Sequence, residues 1–165
     1  MFAADNGGAP MQKENIVLIA NSNTTLDWLE DILHDVCPTV QCISFIYADE
    51  ALEMIQHEFK HMPTCIFLDA DLKRLSGTRC LQTLRKNRAL DACFIGVLSS
   101  TMPSAVADTY LRMGRNAAFQ QPLTTSEGKE IFSSLLHRHP NIECATLKNA
   151  HTIEHTPTLV AHGHE

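Results

Sequence analysis

The sequence lacks four things: a C-x-x-C pair, a basic-plus-apolar leader, an apolar run near the roughly twenty residues a membrane span needs, and an excess of positive charge. Each absence removes a class of function. Without the long run no membrane span is expected. With 13 Lys and Arg against 19 Asp and Glu there is no electrostatic reason to expect nucleic acid or an anionic membrane as partner. A protein partner stays open. The six cysteines, Cys37, Cys42, Cys65, Cys80, Cys93 and Cys144, stand at wide spacings, and the simplest setting for them is a reducing cytoplasm. Cys65 and Cys93 fall inside apolar runs, where a free thiol packs as a small hydrophobe.

What is present suffices for one domain: 165 residues, 44% of them apolar, can build a core and leave some chain outside it. Residues 1–14 have no period and read as a flexible lead. Ile16-Val17-Leu18-Ile19 is a continuous apolar run followed by Asn21, Ser22 and Asn23, good turn and capping residues. Leu26, Leu29, Ile32, Leu33 and Val36 then recur at helical spacing until Pro38. Four more such units follow. Their strands are Cys42–Ile46, Thr64–Leu68, Cys93–Leu98 and Asn116–Phe119. Their helices are marked by Ala51, Leu52, Ile55 and Phe59, by Leu81 and Leu84, by Val106, Tyr110 and Leu111, and by Ile131, Leu135 and Leu136.

Strands that are apolar throughout, and not alternately, are covered on both sides. Five βα units therefore predict the α/β class, a doubly wound five-stranded parallel sheet with helices on both faces. In such a sheet the functional crevice lies at the carboxyl ends of the strands. Those ends are Ala20 to Ser22, Asp69 to Asp71, Ser99 and Ser100, and Gln120 and Gln121. Residues 15–138 make up the domain, and residues 139–165 read as a polar, His-containing tail.

At these positions the chain resembles a response-regulator receiver domain, a (βα)5 flavodoxin-like fold. Ile66-Phe67-Leu68-Asp69-Ala70-Asp71-Leu72 with Ser76-Gly77 is similar to the segment around the family's phospho-accepting aspartate. Val97-Leu98-Ser99-Ser100 resembles the fourth-strand motif, and the stretch from Gly114 to Leu123 resembles the segment that ends in Lys-Pro-Phe. The separations are similar too, thirty residues from Asp69 to Ser99 and twenty-two from Ser99 to Gln121. The resemblance implies that Asp69 is the acceptor, that Ser99 contacts the phosphoryl group, and that Gln121 stands in the place of the usual lysine. It also implies that Mg²⁺ would be held by Asp69, by the backbone carbonyl of Asp71 and by Asn21.

The departures bear on charge. Phosphoryl transfer to a carboxylate needs a hard cation and an ammonium to neutralise the oxygens. The first strand ends in Ala20-Asn21, or Asn21-Ser22 in the alternative register, where the family has an acidic pair. The spacing of Leu29, Ile32 and Leu33 favours the first. Gln121 supplies an amide and no charge. Ala118 replaces an aromatic residue, and Phe119 beside it points to the other face. Mg²⁺ binding is thus expected to be weak or absent, unless Lys73 or Arg74 swings inward to supply the missing charge.

The function expected is a stand-alone module of a two-component or phosphorelay system, bacterial and cytoplasmic. It is not an enzyme, and its phosphorylation at Asp69 is impaired or absent. Its partner is a histidine kinase or a downstream signalling protein, met through residues 103–137. Two alternatives are a functional phospho-accepting regulator and a phosphatase-like enzyme using the D-x-D spacing of Asp69 and Asp71. The tail histidines His151, His155, His162 and His164 are read as solvated, and Trp28 as part of the core.

Overall fold

The computed structural model describes residues 15–114, 116–120 and 124–137. The lead at 1–14, the tail at 139–165 and Gln121 lie outside the described residues. The apolar runs form strands β1 (Asn15–Ile19), β2 (Gln41–Phe45), β3 (Cys65–Asp69), β4 (Phe94–Ser99) and β5 (Asn116–Gln120). The helices are α1 (Asn23–Val36), α2 (Ala48–His57), α3 (Gly77–Lys86), α4 (Ser104–Arg112) and α5 (Thr125–His137), with a 3-10 turn at Arg88–Leu90. The strands pair in parallel in the order β2-β1-β3-β4-β5, so the chain forms the doubly wound sheet that its apolar runs predict. The runs differ from the expected strands by a residue at several ends, within the usual ambiguity of such boundaries.

Strand residues divide by turns between two cores. Ile16, Leu18, Phe67, Phe94 and Phe119 pack under α1 and α5, while Val17, Ile19, Ile66, Leu68, Ile95, Val97 and Ala118 pack under α2, α3 and α4. Both faces are dry. Helix α1 starts where Ser22 accepts a hydrogen bond from the Thr25 amide at 3.2 Å, and it buries Leu26, Leu29, Ile32, Leu33 and Val36. Half-buried Trp28 packs against this core and its Nε1 donates to Thr125 Oγ1 at 3.3 Å. Phe67 meets Phe132 edge to face at 4.9 Å. Gly96 leaves room for that ring, because a Cβ there would lie 2.8 Å from Phe67 Cδ1.

Arg85 ties α3 to the far side of the sheet. Its guanidinium donates to Asn116 Oδ1, to the Leu90 carbonyl at 2.8 Å and to the Cys93 carbonyl at 3.0 Å. Asn116 in turn donates to the Tyr110 carbonyl at 2.8 Å, which sets the end of α4.

Three expectations need correction. In α4 the buried residues are Ala107 and Tyr110, while Val106 is 39% exposed and Leu111 half-buried. Tyr110 is drawn inward by its hydroxyl, 3.2 Å from Thr78 Oγ1, and this rotates Val106 out. In α5 the buried centre is Phe132, with Ile131 only half-buried. Cys37 is disulfide-bonded, whereas Cys42, Cys80 and Cys93 are free thiols. Distance along the chain does not limit such a bond, because folding decides which thiols approach.

The two corrected helix faces separate in a stability measurement. Phe132→Ala should cost about 3–5 kcal/mol by opening the core around Phe67. Val106→Ala should change stability by less than about 0.5 kcal/mol, as expected for a surface position. Urea unfolding midpoints of the two variants check both.

Candidate functional site

Because both faces of the sheet are covered, polar side chains gather at its carboxyl edge. Asp69 and Ser99 are the last residues of β3 and β4, and among the described residues they are the two buried polar ones, at 8% and 4% exposure. Both are satisfied through Asp71. The Asp71 amide donates to Asp69 Oδ1 at 2.9 Å. Ser99 Oγ donates to Asp71 Oδ2 at 3.5 Å, a long contact, and itself accepts from the Thr101 amide at 3.3 Å.

Strand β1 delivers the third side. One step beyond the Ile19–Leu68 pair, buried Ala20 comes level with Asp69, and the half-buried Asn21 follows. Asn21 Nδ2 donates to the Asp71 carbonyl at 3.1 Å. The cap of α1 is Ser22 and not Asn21, which leaves the Asn21 amide free to reach across fifty residues of sequence. Asp71, exposed on the β3–α3 loop, thus meets the ends of β1, β3 and β4 at once.

The loop closes tightly behind it. Gly77 N donates to the Ala70 carbonyl at 3.2 Å, and a Cβ on Gly77 would lie 2.7 Å from Ala70 Cα, so the close approach requires glycine. Arg74 sits at φ 66°, in the left-handed region. Its guanidinium lies 3.7 Å from the centre of the Tyr47 ring and 3.4 Å from Asp49 Oδ2, at the start of α2. It is engaged away from the pocket, and Lys73 is exposed. On the fifth strand Ala118 faces the α2, α3 and α4 core and Phe119 the opposite one. Gln120 Nε2 donates to the Ser100 carbonyl at 3.3 Å. Gln121 lies outside the described residues.

Electrostatically the site is short of positive charge. Burial is the main cause that raises the Asp69 carboxyl above its ordinary value; the Asp71 amide opposes this, and the Asp71 carboxylate adds to it. Among the described residues no group of three or more His, Cys, Asp or Glu side chains could hold a metal. At this edge the Asp71 carbonyl accepts the Asn21 amide, and the residues that follow β1 contribute no carboxylate. Sequence reading grouped Asp69, Asp71 and Asn21 around a cation, with Ser99 beside the phosphoryl group. It missed that Asp71 joins the other three, for which a side-chain pattern carries no signal.

No protein-family model matches the sequence, and no curated protein matches it. Solved structures do match in fold. The phosphorylated cyanobacterial phytochrome response regulator RcpA superposes with a TM-score of 0.67 at 14% identity, over 76% of this chain and 93% of that one. A CheY-like response-regulator receiver domain from Methanospirillum hungatei JF-1 gives 0.63 at 19% identity, over 76% and 95%. The CheX-CheY complex with BeF3 and Mg²⁺ from Borrelia burgdorferi gives 0.63 at 15% identity, over 74% and 88%. The chain has the receiver fold.

The raised Asp69 carboxyl has a consequence for stability. The folded state holds this proton more tightly than the unfolded chain, so stability falls as pH rises from the unfolded value near 3.8 through the higher folded one. Asp69→Asn keeps an acceptor for the Asp71 amide and removes the buried charge. It should raise the thermal midpoint at pH 7, and the gain should vanish once pH falls below about 3.8. Melting curves across pH on the two proteins check the sign.

Proposed function

We propose that this chain is a receiver-like signalling module of a two-component or phosphorelay system that acts by contact with a protein partner, with Mg²⁺-dependent phosphorylation of Asp69 impaired or absent. The receiver fold supports the first half. The observation that carries the second is the composition of the sheet's carboxyl edge, where Asp69 and Asp71 meet an alanine and an amide from β1, and the chain has Gln121 where the resemblance calls for lysine.

Removing one charged contact to a developing oxyanion lowers a rate by about 10²–10³-fold. Here the cation ligands of β1 and the ammonium of β5 are both replaced, so transfer to Asp69 is expected to fall below detection. Arg74 does not make good the loss, since it is held by Tyr47 and Asp49. For that reason the ordinary phospho-accepting reading is not favoured. The phosphatase-like reading is not favoured either, because its D-x-D follows the third strand of a receiver fold, and no cluster of acidic metal ligands accompanies it among the described residues. The module is accordingly not an enzyme.

The proposed contact surface spans residues 103–137. Within it Val106 is the large hydrophobic side chain that stands exposed among the described residues. Its partner would be a histidine kinase or a downstream signalling protein, and the formal charge of −6 argues against nucleic acid. No helix among the described residues is long and apolar enough to cross a membrane. The thiols of Cys42, Cys80 and Cys93, pushed up to about 12 by burial, support a bacterial cytoplasmic setting.

Intact mass after incubation with Mg²⁺ and acetyl phosphate decides the central point. No phosphoryl adduct is expected. An adduct that disappears in Asp69→Asn would overturn the proposal.

A further inference from the structure

We infer that the side-chain amide of Asn21 is a built-in substitute for a divalent cation, and that it holds the β3–α3 loop in one conformation by way of Asp71. The inference rests on the reading of the site as one without Mg²⁺, and it adds what takes the ion's place.

The Asn21 Nδ2 donor reaches the Asp71 carbonyl at 3.1 Å and occupies one of its two lone pairs, on the side of β1. Mg²⁺ needs oxygen ligands at about 2.0–2.1 Å in near-octahedral array. In this orientation the NH₂ group turns hydrogens and no lone pair toward the Asp71 carbonyl, and on that side it opposes a positive ion. The substitution of amide for carboxylate is then more than a loss of affinity, because it supplies the bond that the ion would have made.

Asp71 spreads the effect. Its carbonyl is tied to β1, its amide to Asp69 on β3, and its carboxylate to Ser99 on β4. The Ser99 hydroxyl, the group the resemblance assigns to a phosphoryl oxygen, is thereby turned to the loop. Farther along, Arg74 keeps its left-handed backbone with its guanidinium over Tyr47 and beside Asp49, and Gly77 closes on Ala70. These contacts anchor the loop at both ends. The β3–α3 loop therefore keeps one conformation, whatever the magnesium concentration.

Three measurements on the full chain test this. In wild type, millimolar Mg²⁺ should leave the thermal midpoint unmoved. Asn21→Ala should keep the fold and raise amide hydrogen exchange at residues 71–75 about five- to tenfold, the loss of one ordinary hydrogen bond. Asn21→Asp should gain a midpoint that rises with Mg²⁺, because a ligand bound to the folded state stabilises it by mass action. A wild-type midpoint that climbs with Mg²⁺ would overturn the inference and needs no variant. So would unchanged exchange at residues 71–75 in Asn21→Ala, or an Asn21→Asp protein indifferent to Mg²⁺. A phosphoryl adduct on Asp69 in wild type, with exchange at residues 71–75 still slow and sensitive to Asn21, would instead overturn the reading of impaired phosphorylation and leave the amide's role standing.

Discussion

A parallel sheet buried on both faces has no side on which to put a charge. Here Ile16 to Ile19, Ile66 to Leu68 and Ile95 to Val97 fill the space between α1 and α5 on one side and α2, α3 and α4 on the other. Desolvating a carboxylate inside either layer would cost several kcal/mol without a partner. Polar chemistry is therefore forced to the carboxyl edge, where strands stop and loops turn. The position of Asp69 and Ser99 follows from that constraint, and so does the convergence of three loops on a single small region.

At that edge the balance of charge decides what can be done. Two carboxylates close together, one of them almost fully buried, would ordinarily call for a cation. The structure answers with hydrogen bonds: a backbone amide on Asp69, a hydroxyl on the Asp71 carboxylate and a side-chain amide on the Asp71 carbonyl. Neutral donors satisfy oxygens without offsetting their charge, which is why burial still raises the Asp69 carboxyl.

Much of the fold was legible because burial leaves a period in the sequence. The α1 stripe of Leu26, Leu29, Ile32, Leu33 and Val36 is one face of a helix, and all five are buried. Helix α4 was read less well, since Val106, Ala107, Tyr110 and Leu111 offer two neighbouring stripes and apolarity does not choose between them. The choice came from Tyr110, held by Thr78 and by Asn116 from outside the helix. In α5, Ile131 and Phe132 are equally good core candidates by spacing, and the contact with Phe67 selects Phe132. Arg74 had two directions open to it, and Tyr47 and Asp49 at the start of α2 settled which one it takes.

From the sequence alone came the chemical inventory of the site: a carboxylate at Asp69, none at Ala20 or Asn21, an amide at Gln121, and the order of strands and helices that brings the first three to one edge. Those are properties of residue type and period, which the chain carries whatever its shape. The tertiary structure decided what each group does with its bonding capacity. Asn21 and Asp71 are fifty residues apart, and a hydrogen bond of 3.1 Å between them exists because the β1–β3 register sets their ends side by side. A spacing pattern cannot encode such a contact, since it depends on distances of a few ångströms fixed only when the sheet, its helices and its loops have all been placed.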